Sequence, residues 1–183
     1  MITIKKPAGV GDWLRIYRLY CAAFPAYERK PFQIILDMYR EGRADVWYCC
    51  ADGEFFGFAA TINSPDTILL DYYAVDARFR GRGYGSKLLQ RLIAQYAGRG
   101  FFVEIESIYT PSPNPEERRN RRQFYLKNGL VPLRVVANVF GTPMELLGCG
   151  MTMDFDGYYR FYEEHYGKLK ARNIRRIAEP EWE

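Results

Sequence analysis

The 183-residue sequence predicts a mixed α/β fold built as a single domain. Segments with the two-residue alternation of strands take turns with segments whose apolar residues recur at helical spacing, and prolines and glycines separate them. Hydrophobic residues make up 48% of the chain, which is enough apolar surface for one complete core. Neither an internal repeat nor a low-complexity tract interrupts this pattern.

The first predicted elements are one strand and two helices. Alternation over residues 2–4 indicates a strand, and apolar residues at helical spacing over 13–20 indicate a helix that Pro25 ends. Pro31 suits the start of a second helix, because a proline in the first turn gives up only a backbone donor that has no partner within the helix. We expect Gly42 to end that helix.

A hairpin and a central strand are predicted next. Residues 46–51 and 54–62 are rich in β-forming residues and flank Asp52-Gly53, a dipeptide that tolerates the positive φ of a tight turn. The strand over Thr67–Val75 contains a continuous apolar run, which is typical of a strand buried on both faces.

The remaining elements continue the alternation. An amphipathic helix runs from Tyr84 to about Ala97, followed by a strand over 101–107 and a helix from the Asn114 cap to Asn128. Two strands over 131–140 and 144–153 come next. A last helix has an apolar face formed by Tyr158, Phe161, Tyr162, His165 and Leu169. The predicted order is therefore β-α-α-β-β-β-α-β-α-β-β-α.

Charge and cysteine usage exclude several function classes. A net charge of +4 is far below the basic excess of a dedicated nucleic-acid binder. The four cysteines show no C-x-x-C spacing and there is a single histidine, so no metal site is predicted. No hydrophobic leader or run of about 18 apolar residues occurs. We therefore expect a soluble cytoplasmic protein that binds neither nucleic acid nor a membrane.

A glycine-rich segment between the central strand and the amphipathic helix carries the strongest functional signal. It reads Arg80-Gly81-Arg82-Gly83-Tyr84-Gly85-Ser86. Backbone N–H groups of such a turn, together with the positive end of the helix dipole, can hold a pyrophosphate. The Rossmann and Walker A motifs would both require glycine in place of Ser86, so neither is present. The alternative is that these glycines only make a tight turn.

This segment resembles the central signature of the GCN5-related N-acetyltransferase (GNAT) superfamily. In that family an (Arg/Gln)-x-x-Gly-x-(Gly/Ala) motif follows a strand ending in a small residue and valine, and Arg80, Gly83 and Gly85 fill the motif after Ala74-Val75. About 40 residues later, residues 123–130 are similar to the family's helix-ending tyrosine followed by a glycine and an apolar residue. The order of elements over residues 1–153 agrees with the family as well.

The resemblance implies a fold and an activity. The fold is the GNAT type of α/β (α+β) structure, in which helices flank a twisted, mostly antiparallel mixed sheet of six to seven strands. Residues 1–153 would form the core of one domain and residues 154–183 a C-terminal helical extension. The implied activity is transfer of the acetyl group of acetyl-CoA to a primary amine of a small molecule or peptide, by direct attack in a ternary complex. The alternative is a non-catalytic acyl-CoA sensor of the same fold.

The resemblance also assigns cofactor-binding residues. The family's strand before the loop splays from its neighbour, so its free backbone groups pair with pantetheine, and an N–H near Val75 would polarise the thioester carbonyl as an oxyanion hole does. The amides around Arg82 to Ser86 would hold the pyrophosphate. The expected cofactor-binding residues are therefore Tyr73, Ala74, Val75, Arg80, Gly81, Arg82, Gly83, Tyr84, Gly85, Ser86 and Asn120.

The candidate catalytic residues are Glu104, Glu106 and Tyr125. The two glutamates alternate with apolar residues along one strand, so both carboxylates point to one face of the sheet. The family members that acetylate ribosomal proteins have a base glutamate at the position matching Glu104, and Tyr125 matches a tyrosine that protonates the departing thiolate. Pairing of a glutamate with the arginines at 118–122 is the structural alternative, and Asp71 is a third candidate base.

The sequence leaves the roles of four segments undecided. The proline-rich link 108–115 is longer than in many relatives. The arginines at 118, 119, 121 and 122 could bind the adenosine 3′-phosphate or an acidic substrate, or form a solvated helix face. The segment 24–32 is a candidate for substrate selection. The last helix could pack on the domain, cover the substrate slot or form a homodimer, and His165 on it is expected to be packed in the core.

Overall fold

The computed structural model of the chain describes residues 1–26, 28–177 and 180. The strands are β1 (Ile2–Lys5), β2 (Ala44–Ala51), β3 (Glu54–Asn63), β4 (Thr67–Val75), β5 (Gly100–Glu106), β6 (Val131–Val139), β7 (Thr142–Cys149) and β8 (Ile174–Arg176). The helices are α1 (Val10–Ala23), α2 (Phe32–Arg40), α3 (Tyr84–Gln95), α4 (Pro115–Lys127), α5 (Phe155–Tyr166) and α6 (Lys168–Ala171), with a 3₁₀ turn over Ala77–Phe79.

The chain forms two compact units. Unit 1 contains residues 1–63 and 70–97, and unit 2 contains residues 64–69 and the described residues from Gly98 onward. The strand order in unit 1 is β1-β2-β3-β4. In unit 2 it is β4-β5-β7-β6-β8, where β4 contributes Thr67–Leu69. The pairs β1–β2, β2–β3, β5–β7, β6–β7 and β6–β8 are antiparallel, which agrees with the predicted mostly antiparallel sheet.

The predicted hairpin of unit 1 is confirmed. Asp52 and Gly53 have φ values of 49° and 86°, and they connect β2 to β3 in the turn that this dipeptide favours. The central strand β4 has the predicted bounds.

Helices α1 and α2 cover one face of the unit 1 strands through aromatic side chains. Tyr20 is the centre of this cluster, with its ring centroid 5.4 Å from that of Phe32, 6.3 Å from that of Phe58 and 4.8 Å from that of Tyr72. Its hydroxyl donates to the carbonyl oxygen of Lys30, so a buried polar group is satisfied by the loop between the two helices.

In unit 2, helix α5 packs on the side chain of Phe102 in β5. The Phe102 ring centroid lies 6.4 Å from that of Tyr158 and 5.2 Å from that of Phe161. The first turn of α5 is capped by the side chain of Asp154, which accepts a hydrogen bond from the Gly157 N–H at 2.8 Å.

The C-terminal region differs from the prediction. Helix α5 ends at Tyr166, because Gly167 adopts a φ of 80° that favours glycine and breaks the helix, and Leu169 is exposed instead of packed. After α6 the chain forms β8, which pairs with β6. The extension is therefore not wholly helical, and the described sheet has eight strands instead of six to seven. Strand β7 also ends earlier than predicted, at Cys149, where Gly150 turns with a φ of 68°.

Candidate functional site

The predicted site residues fall into two groups, one in each unit. The first group is the glycine-rich loop of unit 1, which is exposed from Arg80 to Gly83. Gly81 and Gly83 have φ values of 71° and 78°, and no atom lies within 4 Å of the position that a Cβ would occupy on either one. Positive φ, not crowding by the protein, is therefore what favours glycine here, and the space beside the loop is open.

The loop leads directly into helix α3. Gly83 is the residue that precedes the first turn of α3, and the helix is 12 residues long. The backbone N–H groups of its first turn have no partner within the helix, and its dipole is positive at this end. The arrangement suits an anion such as a pyrophosphate.

Contacts at both ends fix the shape of the loop. The Arg80 side chain donates from Nε to the carbonyl oxygen of Val75 at 3.1 Å, and the Tyr73 hydroxyl donates to the carbonyl oxygen of Gly85 at 2.5 Å. Behind the loop, the Phe79 and Tyr84 rings pack on each other at 5.5 Å and on Phe56 at 6.0 and 5.3 Å. The loop is thus fastened to the end of β4 and supported by an aromatic cluster.

The end of β4 lies unusually close to β3. A Cβ on Gly57 would be 2.6 Å from the carbonyl oxygen of Ala74, a contact that real Cβ atoms do not make. The Asp76 N–H donates to the carbonyl oxygen of Phe56 at 2.8 Å on the same side. Because backbone groups of successive strand residues point to opposite edges, those of Tyr73 and Val75 point away from β3.

The second group is on β5 of unit 2. The carboxylate of Glu104 accepts hydrogen bonds from the hydroxyls of Tyr158 at 2.7 Å and Tyr162 at 3.1 Å, both on α5. The carboxylate of Glu106 pairs with Arg118 at 2.9 Å and Arg121 at 3.1 Å, both on α4. The pairing with arginine that was the structural alternative for the two glutamates therefore exists for Glu106. Glu104 accepts from two phenols of α5.

Only two of the four arginines of α4 belong to a solvated face, which was one interpretation of the cluster. Arg122 donates from Nε to both oxygens of Glu145 at 3.1 Å, and both residues are buried. Arg118 is also buried and donates to the carbonyl oxygen of Ser107 at 3.0 Å. Arg119 and Arg121 are the exposed members of the cluster.

Glu145 was missed by the sequence reasoning. It is 0% exposed and lies in the apolar strand β7, in the stretch Met144-Glu145-Leu146. A lone glutamate in such a strand is a signal for a buried cationic partner, because an unpaired carboxylate there would be very costly.

Tyr125 lies buried near the end of α4. Burial raises the pKa of Tyr125 to about 12, while the charge of Arg121 lowers it, so the hydroxyl is protonated at neutral pH. The motif around it also ends the helix: Leu130 N–H donates to the Tyr125 carbonyl oxygen at 3.2 Å, and Gly129 has a φ of 91°. Asn120, one to two turns earlier, is exposed.

The remaining candidates are Asp71, the segment 24–32 and His165. Asp71, the third candidate base, accepts from the Lys30 ammonium at 2.6 Å. In the segment proposed for substrate selection, Tyr27 lies outside the described residues. His165 is half-buried, packs on Phe161 at 4.5 Å and lies with Nε2 2.7 Å from the Ser64 hydroxyl. It is a packed residue, as expected, although it is not fully buried.

Metal-binding clusters and membrane-spanning helices are both absent from the described ranges. No group of three or more histidine, cysteine, aspartate or glutamate side chains in them could hold a metal ion. None of the helices in that part of the chain is both long and apolar enough to cross a membrane.

Comparison with known proteins gives consistent results. The family model described as acetyltransferase (GNAT) family matches residues 13–129. No curated protein matches the chain in sequence.

Solved structures share the fold. A protein described as an acetyltransferase from the GNAT family of Bacteroides thetaiotaomicron is 20% identical, with a TM-score of 0.76 over 92% of this chain and 99% of that one. The ribosomal-protein-S18-alanine N-acetyltransferase from Escherichia coli is 17% identical, with a TM-score of 0.57 over 84% and 96%. A Bacillus subtilis acetyltransferase in complex with CoA is 17% identical, with a TM-score of 0.58 over 80% and 95%. The predicted GNAT fold is therefore confirmed.

Proposed function

Because this chain belongs to the acetyltransferase (GNAT) family, we propose that it transfers the acetyl group of acetyl-CoA to a primary amine of a small molecule or peptide. The observation that carries the proposal is the open glycine loop at the N-terminus of α3, in which Gly81 and Gly83 adopt positive φ beside empty space. The loop fits a pyrophosphate, which CoA carries.

Acetyl-CoA is the co-substrate and supplies an acetyl group activated as a thioester. We assign its pyrophosphate to the backbone N–H groups from Arg82 to Ser86, and its pantetheine arm to the groups of Tyr73 and Val75 that point away from β3. A cavity of about 620 Å³ in unit 1 adjoins the same helix terminus, and its lining includes Ser86, Lys87, Gln90 and Arg91. The cationic side chains among them suit the remaining phosphate of CoA.

Proton transfer is assigned to residues of unit 2. An amine with a pKa near that of lysine is protonated at neutral pH, so a base must remove a proton before the nitrogen can attack. Glu104 is the proposed base, because its carboxylate has phenol partners, whereas that of Glu106 is neutralised by two guanidinium groups. Tyr125 is the proposed acid that gives a proton to the departing thiolate, since its raised pKa keeps it protonated.

The reaction then balances in protons. The nitrogen forms its bond to the acetyl carbon while the carbon–sulfur bond breaks. Glu104 receives one proton from the ammonium group before attack, the nitrogen loses a second proton to water after its bond to the acetyl carbon has formed, and Tyr125 provides one proton to the sulfur. The N–H of Val75 would stabilise the negative charge that develops on the carbonyl oxygen. Each group is returned to its starting state by exchange with water.

The proposal is tested by two measurements on the full chain. In the first, acetyl-CoA at a hundredfold excess over Kd should stabilise the fold by about 2.7 kcal/mol, measured as a rise in melting temperature. In the second, a panel of primary amines and amino-terminal peptides is screened for release of free CoA thiol. A melting temperature raised by NADH or ATP and not by acetyl-CoA contradicts the proposal.

A split result has a defined meaning. If acetyl-CoA stabilises the protein and no amine in the panel releases thiol, the non-catalytic acyl-CoA sensor is favoured over the enzyme. In that case the loop assignment stands and the assignment of Glu104 and Tyr125 to catalysis does not.

A further inference from the structure

Helix α5 contributes two side chains to the candidate base, although it lies beyond the residues 13–129 that the family model matches. Tyr158 and Tyr162 are four residues apart, so both project from the same side of the helix. Their hydroxyls donate to different oxygens of Glu104, at 2.7 Å to Oε1 and 3.1 Å to Oε2.

The two tyrosines are held rigidly. Both are buried, and their rings contact each other at 5.3 Å. Tyr158 also packs on Phe102, and the ring of Tyr162 contacts Phe140 at 6.4 Å and Tyr166 at 5.2 Å. Both hydroxyls are thus fixed before any substrate arrives, and so is the carboxylate that they contact.

We infer that Tyr158 and Tyr162 are positioning residues for Glu104, which fix the direction of its carboxylate and keep it ionised. The inference rests on the proposed function for its consequence in catalysis. Two donors, one on each oxygen, leave the carboxylate little freedom to rotate. Hydrogen bonds to the charged form of an acid favour that form.

The phenols that donate to Glu104 are uncharged, whereas the guanidinium groups that pair with Glu106 are cationic. Besides the phenols of Tyr158, Tyr162 and Tyr166 on α5, the charged groups on the neighbouring elements include Glu106 on β5, Arg118 and Arg121 on α4, which neutralise Glu106, and Glu145 on β7, which pairs with Arg122 of α4. The partner of Glu104 across the sheet on β7 is the apolar Leu146. The two hydroxyl donors to Glu104 are therefore neutral, whereas the two donors to Glu106 are cationic.

The phenols are suited to remain donors. Burial raises the pKa of Tyr158 well above its ordinary value, and the charge of Glu104 raises it further. The Tyr158 hydroxyl therefore keeps its proton at neutral pH and can donate it to the Glu104 carboxylate.

The experiment measures the titration of Glu104 itself. The full chain is labelled with ¹³C at the glutamate carboxyl, and the Glu104 signal is identified by its loss in Glu104→Gln. We expect the titration midpoint of Glu104 to rise by at least 0.5 pH units in Tyr158→Phe or Tyr162→Phe, and by about 1 unit in the double variant. Tyr159→Phe, the same change on the same helix at a residue that does not contact Glu104, should leave the midpoint unchanged.

The outcomes separate this inference from the proposed function. An unmoved Glu104 midpoint in folded Tyr158→Phe and Tyr162→Phe variants overturns the inference, even if the wild type is an active acetyltransferase. If Tyr158→Phe fails to fold, Tyr162→Phe decides the question alone. A shifted midpoint in a wild-type protein that acetylates no amine supports the contact and counts against the proposed function instead.

Kinetics provide the second readout once an amine substrate is known. The acidic limb of kcat/KM should move to higher pH in both variants by the same amount as the Glu104 midpoint. A purely structural role would lower the melting temperature and leave the limb where it is in the wild type. If neither the acidic limb of kcat/KM nor the titration midpoint of Glu104 moves in the two variants, both measurements contradict the inference.

Discussion

The glycine loop and the β5 carboxylates are built in opposite ways. From Arg80 to Gly83 the loop is exposed, and its chemistry resides in backbone groups whose direction two glycines set. On β5 the chemistry resides in side chains. The described hydrogen bonds to Glu104 come from α5, 54 and 58 residues later, and those to Glu106 come from α4, 12 and 15 residues later. The loop should therefore control cofactor affinity through a few local residues, whereas proton transfer should depend on distant ones.

The largest effect is expected at the proposed acid. Tyr125→Phe should lower kcat by about 10² to 10⁴, the usual contribution of a general acid, while acetyl-CoA affinity stays within a few-fold. Because burial raises the pKa of Tyr125 to about 12, this residue should cause no loss of wild-type rate between pH 6 and 10. The measurements are steady-state kinetics and the melting shift with acetyl-CoA. If Tyr125→Phe loses affinity for acetyl-CoA and keeps its kcat, cofactor binding does not belong to the glycine loop alone and Tyr125 is not the acid.

The next effect tests the loop. Gly83→Asp places a carboxylate where the pyrophosphate is proposed to bind, in a backbone conformation with a φ of 78°, and should weaken acetyl-CoA binding at least a hundredfold. The melting shift of about 2.7 kcal/mol at a hundredfold excess over the wild-type Kd should then nearly vanish. Gly42→Asp is the matched control, since Gly42 has a φ of 73° and open space as well but lies after α2. Equal losses in both variants would show that strain, and not the loop, is responsible.

The same contrast explains what the sequence could predict. The loop and β4 were predicted with correct bounds because glycine spacing and an apolar run act within a few residues. The contacts of Glu104 were not predicted, since Tyr158 and Tyr162 lie more than 50 residues away and helical periodicity shows only that they face the core. The pairing of Arg122 with Glu145 was missed for the same reason.

Two errors at the C-terminus have local causes. Apolar periodicity continued to Leu169 and was given more weight than Gly167, although a glycine in this position commonly ends a helix. Strand β8 has three residues, Ile174-Arg175-Arg176, which is too short to show alternation, and its pairing is set by the edge of β6.

A smaller effect is expected at the proposed base. Glu104→Gln should lower kcat/KM at neutral pH by at least tenfold and recover rate as the pH rises, because the amine then arrives already deprotonated. The control is Glu116→Gln, which removes the same charge from an exposed position at the start of α4. The measurement is kcat/KM from about pH 6 to 10, with circular dichroism to verify folding. A wild-type profile in Glu104→Gln would mean that the base is water, Asp71 or the substrate itself.

The smallest effect on activity is expected at Glu106, and it decides how sharply the two carboxylates differ. Glu106 already holds Arg118, whose side chain is 9% exposed, and the partly exposed Arg121. Glu106→Gln leaves a buried guanidinium opposite a neutral amide, so the free energy of unfolding should fall by about 1–3 kcal/mol, whereas kcat/KM should change only a few-fold and keep its acidic limb. Urea unfolding and the pH profile, each compared with Glu116→Gln, measure the two quantities. If Glu106→Gln removes the acidic limb while Glu104→Gln does not, the assignment is reversed, because the guanidinium pairs would then orient the base and the phenols would only anchor α5.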